Sequence, residues 1–172
     1  MKLLMSDTPL SLPEGLPPDA RYVDLSHLHI ANCIGCFGCW VKTPGRCVIR
    51  DDAVKVYPLI AQSEKLLYIS RLAYGSYDIP MKTMLERCIP IQQAFIRLHH
   101  GEAHHVQRDV KEKDAVIIAY GDADIPPEER QLFQQFVKRN SYNMQFCSCR
   151  VVFTDRAELE ETVQREADLW KS

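Results

Sequence analysis

The sequence predicts an α/β domain built on a doubly wound, mostly parallel sheet of five strands. Five short apolar segments of strand type alternate with segments of helical periodicity, and parallel strands need such crossover helices. At 172 residues and 46% hydrophobic content, the chain can close one sizeable core and is short for two. With no internal repeat or low-complexity tail, residues 1–172 read as a single domain. Right-handed crossovers then favour the strand order 2-1-3-4-5.

Lys2 to Ser6 is an apolar run that reads as a buried first strand, and Arg21 to Leu25 reads as the second. Between them, SDTPLSLPEGLPPDA holds four prolines in fifteen residues. Proline removes backbone donors and blocks helix interiors, so this stretch is expected as an irregular loop, with the first helix missing. A lost helix uncovers part of one sheet face, which a neighbouring subunit would cover. Asp51 and Asp52 suit an N-cap and first turn before AVKVYPLIAQSE, a helix that Pro58 should shorten or kink.

Lys65 to Ser70 is continuous in apolar residues, as a strand covered on both faces should be. Pro80 opens a helix in which Met81, Met84, Leu85 and Cys88 share one buried face. Pro90 to Asp109 is less regular and carries two histidine pairs. Ala115 to Tyr120 is the fourth strand, and Pro126 to Arg139 forms a helix with Leu132, Phe133 and Phe136 inward. Cys149 to Phe153 is the fifth strand. Asp155 can cap a last helix, from about Arg156 to Trp170, with Leu159, Val163, Ala167 and Trp170 as its inner stripe.

A net charge of -2 and a pI near 6.3 supply no basic excess for nucleic acid or an anionic membrane. MKLLMSDTPLSLPEG lacks the hydrophobic region of a secretion signal, and no window is apolar enough to span a bilayer, so a cytoplasmic location is expected. Thiols stay reduced there. Seven cysteines, four of them within fifteen residues, are then better suited to ligand or reactive roles than to a disulfide framework.

Those four are Cys33, Cys36, Cys39 and Cys47. Thiolates ligate iron-sulfur clusters, and a C-x2-C-x2-C turn can aim three sulfurs at one cubane while Cys47 completes the set. Gly35 and Gly38 suit the tight backbone such a turn needs. Zinc competes for four thiolates, and buried, reduced, ligand-free cysteines are the third reading. Cys88, Cys147 and Cys149 have no partner motif and are expected in the core.

Three stretches carry a resemblance: CIGCFGCWVKTPGRCVIRDD, SRLAYGSYDIPMKTMLERCIP, and GEAHHVQR followed by VIIAYGDADIPPEERQLFQQFVKRN. They resemble the flavodoxin-like NAD(P)H-dependent FMN reductases and iron-sulfur flavoproteins. The resemblance implies a flavodoxin-like fold and FMN held at the carboxyl ends of the strands. It also implies a 4Fe-4S cluster on the four cysteines and NAD(P)H as substrate. In that family a loop rich in Ser, Thr, Gly and Asn after the first strand holds the FMN phosphate. Here the proline-rich segment replaces it, leaving Ser6 and Thr8 as donors. Matched residue by residue, Tyr74, Gly75, Ser76 and Tyr77 fall in the first loop that meets the flavin ring, and Gly121 and Asp122 in the second. Arg71 stands where relatives carry a short side chain, and its guanidinium can neutralise an anion or fill the ring's space.

His99, His100, His104 and His105 lack metal-ligand spacing and are read as structural or interface residues. The expected function is electron transfer from NAD(P)H through FMN to a quinone, a small aromatic or a redox protein, in a homo-oligomer. The alternative is a non-catalytic flavodoxin-fold protein that has lost FMN and serves as a scaffold or interaction partner.

Overall fold

The computed structural model describes residues 1–171. The strands are β1 (Lys2–Ser6), β2 (Ala20–Asp24), β3 (Lys65–Ala73), β4 (Ser76–Tyr77), β5 (Gln92–His99), β6 (Glu102–Gln107), β7 (Lys113–Gly121) and β8 (Phe146–Asp155). The helices are α1 (Gly38–Val41), α2 (Ala53–Gln62), α3 (Ile79–Glu86), α4 (Pro127–Asn143) and α5 (Leu159–Asp168). Five strands form the parallel sheet β2-β1-β3-β7-β8, which is the predicted order once the added strands are set aside. The short β4 folds back antiparallel on β3, and β5 and β6 make a separate antiparallel hairpin.

No helix lies between β1 and β2, as the prolines predict. One sheet face, with Leu3, Met5, Leu66, Tyr68 and Ile117, packs against α2, α3 and α4 through residues such as Ile60, Met84 and Phe133. The other face carries Leu4, Leu67, Ile69, Ile118 and Tyr120 and meets Leu159, Val163 and Trp170 of the C-terminal segment. Leu10 and Leu16 of the proline-rich loop also pack there, covering part of what a helix would cover.

Pro58 lies inside α2, which runs unbroken through it. Asp78 caps α3, its carboxylate accepting from the Ile79 amide at 2.7 Å. Asp155 accepts from the Glu158 amide at 2.9 Å just before α5, whose predicted inner stripe is buried throughout. Three expectations need correction. The region from 90 to 109, read as irregular, contains the β5–β6 hairpin. Leu132 is exposed, because only Phe133 and Val137 of that stretch turn fully inward. Cys147 and Cys149 are exposed too: β8 is an edge strand, and its first half lines a groove of about 800 Å³ with His99 and Tyr142.

Candidate functional site

Two places in the fold carry chemistry. The first is the carboxyl edge of the sheet, where β1, β3 and β7 end together. Directly after β1, Asp7 turns its carboxylate inward. It accepts from Ser70 Oγ at 2.7 Å, from the Arg71 amide at 2.7 Å and from the Tyr120 hydroxyl at 2.9 Å. Burial pushes this carboxyl above its ordinary value, and the three donors oppose that shift. Burial, with Asp7 beside it, pushes the Tyr120 hydroxyl upward.

Ser6 is buried, and its hydroxyl donates to the Thr8 carbonyl at 2.7 Å and accepts from the Thr8 amide at 3.2 Å. Thr8 Oγ1 accepts from Arg156 at 2.9 Å, and that guanidinium lies 5.1 Å over the Tyr120 ring. Arg156 makes no ion pair among the described residues.

Arg71 belongs to β3 and not to a loop. Its Nε and Nη2 reach Asp122 at 3.1 and 3.0 Å, and its Nη1 lies 3.5 Å from Asp78, so it spans the gap between the ends of β3 and β7. Tyr74 and Gly75 form the turn to β4, with φ of 53° and 70°. Tyr74 projects almost wholly into solvent. Ser76 begins β4, while Tyr77 turns inward and packs edge-on against Phe133 at 5.0 Å. Gly121 ends β7, and a Cβ there would stand 2.8 Å from the Ala123 carbonyl.

The second place is the cysteine segment. Asp51 and Asp52 tie its two ends together: Asp51 accepts from the Ala31 amide at 2.8 Å and Asp52 from the His29 amide at 3.0 Å. Arg87, 1% exposed, forks onto Asp51 with contacts of 2.6 and 2.9 Å, holding that carboxyl below its ordinary value against the cost of burial. Trp40 donates to the carbonyls of Ile89 and Gln92 at 3.3 and 3.0 Å, fixing α1. Gly35 and Phe37 take positive φ of 64° and 54°, and a Cβ on Gly38 would meet Val48 at 2.7 Å.

So folded, Cys33, Cys36, Cys39 and Cys47 all line one cavity of about 110 Å³, walled otherwise mainly by apolar residues such as Ile34, Val48 and Ile89, and by the charged pair of neighbours Glu86 and Arg87. Among the described residues, no three His, Cys, Asp or Glu side chains are arranged to hold a single metal ion. Cys33 and Cys36 are exposed, Cys39 is buried, and burial pushes the Cys39 thiol up.

His99, His100 and His104 pack the hairpin onto α4, while His105 lies against Trp40 of α1 with ring centroids 4.7 Å apart. His104 Nδ1 lies 3.0 Å from Asn143 Oδ1 and its Nε2 3.2 Å from Glu102, while His99 and His100 contact the Tyr142 ring. Cys88 is buried, as predicted, its thiol against the Met84 carbonyl.

The sequence reading missed Asp7, Ser70, Tyr120, Arg156, Asp51 as an ion-pair partner, and Arg87. Arg87 falls in register with Met84 and Cys88 on the face the sequence marks as inward, a charge there that needs a partner. That was the available signal.

The sheet order and its helices make this a flavodoxin-like α/β fold. No family model matches the chain. A curated iron-sulfur flavoprotein from Archaeoglobus fulgidus is 31% identical over 86 residues, which is 50% of this chain and 38% of that relative, so well under two thirds of its length is matched. An FMN-dependent NADH-azoreductase from Bacillus anthracis, solved with FMN, superposes with a TM-score of 0.60 at 10% identity, covering 98% of this chain and 95% of that one. An NADPH-quinone reductase from P. pentosaceus gives 0.53 at 11% identity, over 98% and 94% of the two chains. The resemblance read from the sequence, to flavodoxin-like FMN reductases and iron-sulfur flavoproteins, agrees with these relatives. No helix among the described residues is long and apolar enough to cross a membrane.

Proposed function

We propose that the chain is an FMN-dependent NAD(P)H oxidoreductase that passes electrons through an iron-sulfur centre at Cys33, Cys36, Cys39 and Cys47 to a small-molecule or protein acceptor. The observation that carries this reading is the convergence of all four cysteines on one apolar cavity. A mononuclear zinc site requires sulfurs at about 2.3 Å around one point. Thiols set around a cavity suit a multi-atom centre held at its corners.

FMN, when bound, supplies hydride acceptance and one-electron release. The two ends of the sheet edge suit it unequally. At the ring end, the exposed Tyr74 and the Gly75 turn offer an aromatic face and backbone amides. At the phosphate end there is no helix N-terminus after β1, and the remaining polar groups are Thr8 and the Arg156 guanidinium bonded to it, which makes no ion pair among the described residues. A homo-oligomer accords with the exposed Phe95, Ile96 and Leu98 of β5, and a cytosolic location with seven unpaired thiols.

A second reading, a flavin-free scaffold on the same fold, draws on Asp7 and Arg71. Asp7 takes up the donors of Ser70 and Tyr120, and Arg71 spans the gap toward Asp122. Titrating anaerobically purified protein with FMN separates the two. Saturable quenching of flavin fluorescence, with NAD(P)H bleaching the bound flavin, supports the oxidoreductase; unquenched FMN supports the scaffold.

A further inference from the structure

Arg87 heads the fully buried side chains of the protein by volume, and it lines the cysteine cavity. Its Nη1 donates to the Ala31 carbonyl at 2.7 Å and to Asp51 at 2.6 Å. Its Nη2 donates to the other Asp51 oxygen at 2.9 Å and, beyond it, faces Cys47 Sγ at 3.3 Å and the Ile49 carbonyl at 3.5 Å, the sulfur being the nearer of the two, while Nε is buried with no partner. Asp51 and the carbonyl suffice to hold a loop. They do not explain an N–H aimed at sulfur, because a neutral thiol is a weak acceptor and a charged sulfur a good one.

We infer that Arg87 is a positioning residue for the cysteine centre, its Nη2–H on Cys47 Sγ favouring the more negative, reduced state of the centre and so raising its reduction potential. The inference rests on the iron-sulfur reading given above. One electron enters, no bond is made or broken, and no proton moves. The added negative charge is stabilised by a hydrogen bond to a ligand sulfur, donated from the positive end of the Arg87–Asp51 ion pair. Asp51 fixes the fork so that the N–H cannot swing away from the sulfur.

The test is a redox titration, with mediators supplying the electron, of anaerobically reconstituted protein followed by its optical and paramagnetic spectra. Arg87→Gln is made together with Asp51→Asn, so that no lone carboxylate is left buried. Arg87→Lys keeps the charge and loses the fork. The paired variant should favour the oxidised centre at least tenfold, about 59 mV downward for one electron, and Arg87→Lys should fall between it and the unmodified protein. A folded, loaded paired variant with an unshifted midpoint overturns the inference. If that variant does not load, Arg87→Lys decides: a lowered midpoint supports the inference, an unchanged one overturns it. Failure of the unmodified chain to take up iron overturns both this inference and the centre it rests on.

Discussion

Asp7 is a carboxylate placed where an anion-binding loop would otherwise begin, and it is fully occupied by its own neighbours. Its partners Ser70 and Tyr120 lie 63 and 113 residues away, so nothing local in SDTPLS announces the network. Ser6 and Thr8 were legible as polar groups, but their hydroxyls are engaged within the loop and with Arg156. Because burial raises the folded-state value of Asp7 above its unfolded value, the native state binds more protons between the two. This residue's contribution to stability is therefore greatest in acid and falls as pH rises through that window, which opens upward from the ordinary carboxylate value. Asp7→Asn keeps an oxygen for Ser70 and Arg71 and removes the buried charge. It should flatten that pH dependence and be neutral or stabilising at pH 7 in urea unfolding. Asp7→Ala leaves three donors unmet and should cost about 3 kcal/mol.

At the scale of elements, the strands and the last helix were readable because apolar runs and the Leu159, Val163, Ala167, Trp170 stripe report burial directly. The two hairpins were harder. Both turn on a residue followed by glycine with positive φ at each, Tyr74 and Gly75 at 53° and 70°, His100 and Gly101 at 52° and 77°. That pair of angles is what a type I′ turn demands, usually signalled by Asn-Gly or Asp-Gly, and tyrosine or histidine in first place masks it. Cys147 and Cys149 were misplaced for a related reason: alternation gives a face, not whether anything covers it. Gly75 is required by its φ of 70°, and a Cβ there would also stand 2.4 Å from a terminal methyl of Leu132 on α4 and 2.9 Å from its Cγ, so that this exposed side chain would have to swing aside. Gly75→Ala should lower unfolding stability by about 1–3 kcal/mol, seen as a reduced urea midpoint with unchanged slope.

The whole molecule combines an ordinary sheet with an altered first crossover. Four prolines replace a helix, Leu10 and Leu16 stand in for part of its apolar face, and the anion site that a helix N-terminus would offer is gone. Strand order followed from the alternation of strands and helices together with right-handed crossovers. The cysteine cavity did not, because its closure depends on Asp51, Asp52 and a buried Arg87 that bring residues 29 to 52 and the end of α3 together. What remained legible was the spacing of the thiols, and the fold gathers them at one cavity. The most direct measurement is the iron and acid-labile sulfide content of protein purified without oxygen, beside a Cys36→Ser variant whose position is exposed and so should fold. A centre held by four cysteines predicts about four iron and four sulfide per chain, diminished in the variant. Iron and sulfide no higher in the unmodified protein than in Cys36→Ser would contradict it.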